Sequence, residues 1–504
     1  MTNCLQRPVI TTTLNGSSTL IDFPPSVLIL GNQPGYSVSL PDATTLLQGS
    51  AWYDIWNLST QPVSIKDNGG NVLLTLMNGS RVEISLSSAS TTNGVWTFAS
   101  TLSGTSGSTL SDLLYTVVKP TAVLKSAMGA VANDLTFTCM AVFQGKLYIG
   151  TSNTTAATDS TAAKVLTFDG TTWSVITKAT MGMVAADTYI SSMAVFQGKL
   201  YLGTYNTTAA TDSTGAKLVL FDGTTWSVIT KAIMGGVTTD QRLSSMVVYG
   251  GSLYIGTYNV TAATDSTAAK LLVYYNFGSS WSTINKSVMS AVAADQDFPS
   301  MAVYNNILYI GTTNATAAID TTGSKVISYN GTTWAAVTKT TMGGVTTDTS
   351  FPVMAVYNGK LYIGTANATA ATDTTGSKLL VWNGTAWAVI TKATMGGATT
   401  DTNLESMCVY NGKLYIGTKN ATAAIDATAA KILQFDQMAW AVIVKSTLGG
   451  ITTDTDIFSM AIFQGQLWLG TNNATVATDA TAARTMHLAY PIAENFNTYC
   501  SRGF

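Results

Sequence analysis

Oxygen-bearing side chains recur at a fixed spacing along this chain and are its first candidates for ligand binding. An Asn-x-Thr motif is followed six residues later by an aspartate, and a second aspartate lies nineteen residues before each motif. Clustered oxygens of this kind suit Ca²⁺ or sugar hydroxyls, but such side chains also bond nearby backbone groups and hold loops in shape. Their constancy favours the second interpretation, and we predict no bound metal or cofactor. The asparagines are Asn153, Asn206, Asn259, Asn314, Asn367, Asn420 and Asn473; the aspartates after them are Asp159, Asp212, Asp265, Asp320, Asp373, Asp426 and Asp479; the second aspartates are Asp134, Asp187, Asp240, Asp295, Asp348, Asp401 and Asp454.

Few other residues have the type and spacing that catalysis needs. The one histidine is His487, and the chain has no glycine-rich phosphate loop, zinc-ligand spacing or nucleophile elbow. The four cysteines, Cys4, Cys139, Cys408 and Cys500, follow no disulfide or metal pattern. Because the repeated acids form no single constellation, we predict that the chain is not an enzyme. Carboxylates brought together from different loops would nevertheless allow glycoside cleavage.

These residues belong to a unit of 53 residues that occurs seven times. Each copy is marked by a methionine that opens a strand-like run, and the steps between them are 53, 53, 55, 53, 53 and 53 residues. The first copy predicts four strands, at Met140–Phe143, Lys146–Gly150, Lys164–Phe168 and Trp173–Lys178. Four antiparallel strands repeated seven times predict an all-β fold, a seven-bladed β-propeller. The methionines are Met140, Met193, Met246, Met301, Met354, Met407 and Met460.

The two ends of the repeat array complement each other. The seventh copy stops after a third strand within Arg484–Tyr490, and Pro491 breaks the pattern. The segment from Thr121 to Gly129 matches the fourth strand of other copies. We therefore predict that residues at about 120–126 form the outer strand of the last blade and close the ring by strand exchange.

The first 115 residues do not repeat. Val82, Ile84 and Leu86 alternate with polar residues, and Asp67–Gly70 has the composition of a hairpin turn. We predict a small antiparallel β-sandwich at 1–115, the propeller at 116–490 and a C-terminal tail at 491–504. The small, polar stretch Ser103–Ser111 is the predicted linker between the two domains.

Composition limits the partners. The chain has 504 residues, of which 46% are hydrophobic and 10% charged, and its net charge is −2. This balance gives no electrostatic reason to bind nucleic acid or an anionic membrane. No apolar run is long enough to span a membrane, and the first residues do not resemble a signal peptide. We expect no nucleic-acid partner, no membrane insertion and no secretion by the general route.

Two further residue types recur in the outer strands. The tryptophans are interpreted as packing residues and the lysines as protection of the outer strand edges. The tryptophans are Trp173, Trp226, Trp281, Trp334, Trp387 and Trp440, and the lysines are Lys125, Lys178, Lys231, Lys286, Lys339, Lys392 and Lys445.

The segment IWNLSTQPVSIKDNGGNVLLTLMNGSRVEISLSSASTTNGVWTF, Ile55–Phe98, resembles a module of tailed-bacteriophage fibre and virion proteins. The "NGKLYIGT" run of the repeats resembles kelch-like propeller blades, but it lacks the double glycine that ends a typical kelch strand. Together the resemblances imply a virion protein, assembled in the host cytoplasm, in which a small attachment domain carries a ring. They imply other virion proteins as partners of the N-terminal domain, and a homo-oligomer or many copies per particle.

Function is expected on the face that carries the long connections between strands. Loops on a rigid scaffold usually hold the binding residues, and neutral, Thr- and Asn-rich loops suit sugar hydroxyls. We predict a tail-fibre, tail-tip or head-fibre appendage that binds a host surface glycan or receptor, with up to seven weak sites. The alternatives are a purely structural capsid or tail component and a polysaccharide hydrolase. The contact candidates, taken from positions that vary among the copies, are Tyr205, Tyr258, Lys419, Tyr189, Arg242 and Phe298.

Overall fold

The computed structural model separates the chain into two compact units, of which the second is Lys119–Tyr490. The residues it describes are 9–12, 18–19, 26–29, 37–46, 52–57, 62–76, 81–88, 90–101, 121–131, 133–153, 163–206, 215–237, 239–259, 269–275, 280–292, 294–314, 323–345, 347–367, 377–398, 400–420, 430–451, 453–473 and 484–489. The predicted linker, the predicted tail, Cys4, Cys500 and the seven aspartates that follow the Asn-x-Thr motifs lie outside these ranges.

The first unit contains two β-sheets around one apolar core. One sheet has the strand order β1-β3-β5-β8-β9 and the other β2-β4-β6-β7. Residues of both sheets, including Tyr53, Ile55, Ile65 and Ile84, meet in the core, as their alternation with polar residues predicts. The strands are β1 (Val9–Thr12), β2 (Ser18–Thr19), β3 (Ser26–Ile29), β4 (Ser37–Ser39), β5 (Trp52–Asn57), β6 (Val63–Lys66), β7 (Val72–Leu76), β8 (Arg81–Ser88) and β9 (Val95–Thr101).

Strand direction in this unit differs in part from the predicted antiparallel arrangement. The pairs β5–β8, β8–β9 and β6–β7 are antiparallel. The pairs β1–β3, β3–β5, β2–β4 and β4–β6 are parallel. The first six strands alternate between the two sheets, so each strand returns to its own sheet in the same direction after crossing through the other.

The second unit is a β-propeller of seven four-stranded blades, as predicted. Within each of the first six blades the four strands pair antiparallel in chain order, as in the first blade. The first strands are Asp134–Phe143, Asp187–Phe196, Asp240–Tyr249, Asp295–Tyr304, Asp348–Tyr357, Asp401–Tyr410 and Asp454–Phe463. The second strands are Lys146–Asn153, Lys199–Asn206, Ser252–Asn259, Ile307–Asn314, Lys360–Asn367, Lys413–Asn420 and Gln466–Asn473. The third strands are Val165–Phe168, Leu218–Phe221, Leu271–Tyr275, Lys325–Tyr329, Leu379–Trp382, Ile432–Phe435 and Thr485–Ala489. The fourth strands of the first six blades are Trp173–Ile176, Trp226–Ile229, Ser280–Ile284, Trp334–Thr338, Trp387–Ile390 and Trp440–Ile443.

Each first strand is longer than the sequence pattern predicted. In the first blade it begins at Asp134 instead of Met140, because the pairing with the second strand continues through two irregularities in register. The second aspartate of each copy, predicted to lie in a loop, is therefore the first residue of a strand. Side chains near this end of the first strands consequently belong to the sheet of each blade.

The strand exchange is confirmed. Strand β10 (Thr121–Val123) pairs antiparallel with the third strand of the last blade, with Thr121 opposite His487 and Val123 opposite Thr485. The first and last blades are also joined at the centre, where Ser459 Oγ donates to the Phe137 carbonyl at 2.6 Å. The ring is thus completed by the N-terminal side of the array.

Close packing between blades explains the glycine of each second strand. A Cβ atom at Gly203 would lie 2.7 Å from the Leu243 carbonyl oxygen of the next blade. A Cβ at Gly417 would lie 2.4 Å from the Ile457 carbonyl oxygen. No side chain fits at these positions, so the blades meet backbone against backbone.

The tryptophans of the fourth strands pack as predicted. Trp226 stacks on Phe221 of the neighbouring strand with 4.4 Å between ring centroids, and Trp334 stacks on Tyr329 at 4.2 Å. The described helices are single turns: α1 (Lys231–Met234), α2 (Lys392–Met395) and the 3₁₀ turn Ala43–Thr45. No helix among the described residues could cross a membrane.

A pair of truncations tests the ring closure. Deleting residues 1–129 removes β10 and leaves Thr485–Ala489 as an open edge, so we expect aggregation or a lower melting temperature. Deleting only residues 1–110 retains β10 and should leave the melting temperature of the ring unchanged. Equal melting temperatures for the two proteins, measured by calorimetry, would contradict the role of β10.

Candidate functional site

A buried polar network occupies the long-connection end of every blade. In the second blade, Asp187 is fully buried. Its Oδ1 accepts a hydrogen bond from Asn206 Nδ2 at 2.9 Å, and its Oδ2 accepts from the Val184 N–H at 2.8 Å. Lys217 Nζ, just before the third strand, lies 2.6 Å from Oδ2. One carboxylate therefore joins the first, second and third strands.

The network is repeated around the ring. The equivalent ion pairs are Lys164–Asp134, Lys270–Asp240, Lys325–Asp295, Lys378–Asp348, Lys431–Asp401 and, with arginine, Arg484–Asp454. The separation is about 3 Å in most blades but 3.9 Å for Lys270–Asp240 and 3.8 Å for Arg484–Asp454. In these two blades burial raises the pKa of the aspartate. The asparagines and second aspartates therefore bond one another and a buried basic residue, which gives them a structural role.

The interpretation of the outer-strand lysines as edge protection is wrong. Lys178, Lys339 and Lys445 are at most 3% exposed. Their Nζ atoms donate to the carbonyls of Ala185, Asp348 and Asp454, respectively. The lysines follow the fourth strands and turn inward, where they bond the backbone that leads into the next first strand.

Breaking one network should destabilise the ring. Asp187→Ala leaves Lys217 buried without its carboxylate, which costs on the order of 3–5 kcal/mol of unfolding free energy. Asp187→Ala combined with Lys217→Met should recover much of this loss, because no buried charge then remains. The matched control is Asp222→Ala, since Asp222 is an exposed turn residue that bonds Thr224 and Thr225. Urea denaturation of the four proteins measures the differences, and a loss no larger than that of the control would contradict the prediction.

The structure brings the variable positions of the seven copies together. A cavity of about 660 Å³ is lined by residues of all seven blades. Every lining residue belongs to one of three positions: the second or the fourth residue after the first-strand aspartate, or the residue before the second-strand asparagine. We call these the ring positions. The lining residues are Thr136, Thr138, Ser152, Tyr189, Ser191, Tyr205, Arg242, Ser244, Tyr258, Asp297, Pro299, Thr313, Ser350, Pro352, Glu405 and Phe458.

Strand pairing explains why these positions converge. In every blade but the third, the residue before the asparagine pairs with the first strand of the next blade, as Ser152 does with Tyr189 and Tyr205 with Arg242. The pairing of Thr136 with Asn472 links the last blade to the first. Ring positions of neighbouring blades therefore alternate around the centre of the propeller, at the end where the long connections lie.

One side of the cavity is aromatic and contains a buried ion pair. Tyr189 and Tyr205 stack with 4.6 Å between ring centroids. The Arg242 guanidinium lies 4.8 Å from the centre of the Tyr258 ring and donates to Tyr189 Oη at 3.0 Å. It also forms an ion pair with Asp297 Oδ2. The positive charge of Arg242 is therefore neutralised by Asp297 within the cavity wall.

Asp297 retains capacity to accept a hydrogen bond. Its side chain is 4% exposed and its Oδ1 has no hydrogen-bond partner in the structure. Burial raises the pKa of Asp297, and the charge of Arg242 opposes that shift. The Oδ1 atom is itself buried, so Asp297 contributes to the cavity through its ion pair with Arg242.

The opposite side of the cavity carries a pair of carboxyl groups. Glu405 lines the cavity and accepts a hydrogen bond from Asn403 Nδ2 at 2.6 Å. Asp456 is fully buried behind it and accepts from Asn472 Nδ2 at 2.7 Å. Burial, followed by the charge of Glu405, raises the pKa of Asp456 to about 7, whereas Lys419 lowers it. This side is therefore acidic and changes its charge near neutral pH.

The predicted contact residues divide into two groups. Tyr189, Tyr205, Arg242 and Tyr258 line the cavity; Lys419 occupies a ring position and pairs in register with Asp456. All five are half-buried in strands, so their predicted place in exposed loops is wrong. Phe298 is also misplaced by the prediction, because its side chain is fully buried in the core between blades.

Sequence reasoning missed Asp297, Glu405 and Asp456 as members of one site. The sequence analysis interpreted the acids through their repetition. The repeated first-strand acids lie in the buried networks, whereas these three occur at ring positions that are acidic in only one or two of the copies. The signal in the sequence was an acidic residue, two or four positions after the first-strand aspartate, where most other copies have an uncharged residue.

The remaining reactive side chains lie away from the cavity. His487 packs against Trp468 with 4.6 Å between ring centroids, and burial lowers its pKa. Cys139 and Cys408 are free thiols, and burial raises their pKa to about 12 and about 11. Among the described residues, no group of three or more His, Cys, Asp or Glu side chains is arranged to hold a metal ion.

No family model matches this chain, and no curated protein matches it. Solved structures match at low identity. A polysaccharide lyase has 11% identity and a TM-score of 0.44, with 71% of this chain and 98% of the lyase covered. Trypanosoma rangeli sialidase with the inhibitor DANA has 12% identity and a TM-score of 0.36, with 71% and 55% covered. The protein YjhT has 12% identity and a TM-score of 0.38, with 61% and 97% covered.

The prediction that the chain is not an enzyme is contradicted by these comparisons. The similar structures include the sialidase, the lyase and an α-L-arabinofuranosidase from Clostridium thermocellum, which is 14% identical. The prediction rested on the absence of a single constellation of acids, and the cavity contains one. The likenesses themselves identify no activity or ligand of this chain.

The acidic side of the cavity should make stability depend on pH. The ordinary pKa of Asp456 is 3.8 and folding raises it to about 7, so the folded state holds this proton more tightly than the unfolded state. The resulting stabilisation is complete below about pH 4 and is lost as the pH rises through 7. Each unit of pKa difference corresponds to about 1.4 kcal/mol.

Asp456→Asn removes this titration. Relative to the variant, the wild-type unfolding free energy should fall between pH 5 and pH 8, as measured by urea denaturation at each pH. Asp222→Asn, at an exposed turn, is the control and should follow the wild type. Parallel curves for wild type and Asp456→Asn would contradict the assignment.

Proposed function

We propose that the propeller binds a saccharide in its central cavity. The observation that carries this proposal is that all residues lining the cavity occupy ring positions, where the seven copies differ from one another. The buried networks and the inter-blade glycines keep the frame alike in every blade. Divergence concentrated on one cavity indicates recognition of a ligand, because binding residues are carried by a rigid scaffold.

The chemistry of the cavity supports a sugar ligand. The half-buried tyrosines present apolar ring surface together with a polar hydroxyl. Glu405 supplies acceptors in addition to these tyrosine hydroxyls. A volume of about 660 Å³ is within the usual range for small-ligand sites. A short saccharide complements both features, because it has an apolar ring surface and a rim of hydroxyls.

The cavity favours one ligand per ring instead of seven. The tyrosines and Arg242 come from the second and third blades, and Glu405 comes from the sixth. No two blades present the same set of ring residues. Multivalent attachment therefore comes from several copies of the chain, by the ordinary increase in effective concentration.

We propose that the saccharide belongs to a host cell surface and that the chain is a virion appendage. The support is the resemblance of Ile55–Phe98 to phage fibre and virion modules. In this proposal the N-terminal domain contacts other virion proteins, and many copies of the ring are presented to the host.

Cleavage of the bound saccharide is a second candidate function. It is favoured by Glu405 and Asp456, two adjacent carboxyl groups in different environments, of which one has a raised pKa. Chromatography of a saccharide incubated with the protein would detect shortened products. Their absence across a broad panel would remove this candidate.

Calorimetric titration with host surface oligosaccharides tests the binding proposal. We expect a stoichiometry near one per chain, and a loss of affinity of about fivefold for Tyr205→Ala or Tyr258→Ala, since an aromatic contact contributes about 1 kcal/mol. Tyr275→Ala is the control, because Tyr275 is exposed at the end of a third strand and does not line the cavity. Several sites per chain, or equal affinities for all variants, would refute the proposal.

A further inference from the structure

The one cation that lines the cavity already has a partner. Arg242 is paired with Asp297, and Lys419 lies in register with Asp456 and lowers its pKa. Arg242 and Lys419 are the only cationic residues at ring positions in the described blades. Glu405 adds an acidic group whose hydrogen-bond partner is the neutral Asn403.

The connections at this end of the propeller add negative charge only. The seven segments that lead from the second strands to the buried basic residues of the networks each contain one aspartate and no lysine or arginine: 154–163, 207–216, 260–269, 315–324, 368–377, 421–430 and 474–483. The seven segments from the outer-strand lysines to the first strands contain no charged residue: 126–133, 179–186, 232–239, 287–294, 340–347, 393–400 and 446–453. In sequence, these connecting segments therefore add aspartates and no cations beyond the buried basic residues of the networks.

We propose that the cavity selects saccharides that carry no acidic group, and that Asp297 is the residue that decides this. The inference rests on the proposed saccharide binding and adds the substrate class. A carboxylate or sulfate needs a cation with free hydrogen-bonding capacity, and Asp297 occupies the one guanidinium that lines the cavity.

Asp297 also fixes the orientation of Arg242. The guanidinium is held over Tyr258 by three contacts: the ion pair with Asp297, the bond to Tyr189 Oη at 3.0 Å and the bond from Nε to Ser244 Oγ at 3.0 Å. Its edge is used for these contacts and its face for the Tyr258 ring. Arg242 therefore shapes an aromatic wall and does not act as an anion receptor.

The experiment uses the full chain and an array of matched oligosaccharides. Its members are neutral hexose oligomers, N-acetylated oligomers, oligouronates and sulfated oligomers of equal length. The affinity of the wild-type protein for neutral or N-acetylated oligomers should be at least about tenfold higher than for acidic ones, because like charges at an interface are strongly unfavourable. Changing the salt concentration from 20 to 500 mM should leave neutral binding nearly constant, since no ion pair forms with the ligand.

Asp297→Asn is the diagnostic variant, because it frees Arg242 with almost no change of shape. It should acquire binding to oligouronates or sulfated oligomers that weakens as salt increases. Glu405→Gln is the matched second variant: it removes a negative charge from the cavity without freeing a cation, so it should gain far less. The wild-type array is decisive by itself if Asp297→Asn does not fold.

The outcomes separate the two proposals. Preference of wild type for acidic saccharides would overturn the selectivity inference while leaving saccharide binding intact. Failure of folded Asp297→Asn to gain acidic ligands would overturn the role of Asp297. If the wild-type protein binds no saccharide on the array, the proposal of saccharide binding is refuted, and this inference is refuted with it.

Discussion

Each blade depends on one buried carboxylate that is shared among three strands. In the second blade, Asp187 receives the Asn206 amide, the Val184 N–H and the Lys217 ammonium. A charge fully removed from water is tolerable only when its partners satisfy it, so the three strands must reach one another with the correct spacing. The equivalent aspartates of four other blades lie about 3 Å from their lysines, and Asp240 and Asp454 face a basic residue at a longer distance, so the long-connection end has a common geometry.

This repeated constraint permits variation at the centre. The ring positions lie one or a few residues from the networks, on strands whose backbone course is already determined. Their side chains contribute to the wall of a cavity and not to the interior of a blade, so Tyr189, Arg242, Asp297 and Ser350 can stand at equivalent places. A nearly sevenfold frame thus surrounds an asymmetric site, in which an aromatic side faces an acidic one.

The repeat made the architecture predictable from sequence. Blade number, strand order and the exchange of β10 all follow from aligning the chain with itself. The site was less predictable, because its members are contributed by different blades and come together only through the closed ring. Tyr205 and Arg242 were recognised as variable, but the sequence pattern began each first strand at its methionine and ended each second strand at its glycine, and therefore assigned both residues to loops. The structure shows continued pairing up to Asp187 and Asp240, which turns these side chains towards the centre.

The lysines and the N-terminal sandwich show two other limits. A lysine after an outer strand has the composition of a protected edge, and only the packed structure reveals that Lys339 reaches the Asp348 carbonyl inside the blade. In the sandwich, alternation of apolar residues identified the buried faces of β6 and β8, but alternation is the same for parallel and antiparallel neighbours. Strand direction therefore depended on connections that alternate between two sheets, which local sequence does not encode.

The exchange of β10 also orders the events of synthesis. The ribosome produces Thr121–Val123 before any complete blade, yet the strand that receives it, Thr485–Ala489, is among the last segments to emerge. Intermediate blades can form successively while the chain lengthens, since each contains its own four strands. Strand β10 therefore cannot pair with Thr485–Ala489 until translation is nearly finished. Closure of the circle is thus a terminal step of biogenesis, and a nascent chain that stops before residue 485 has no means of completing it.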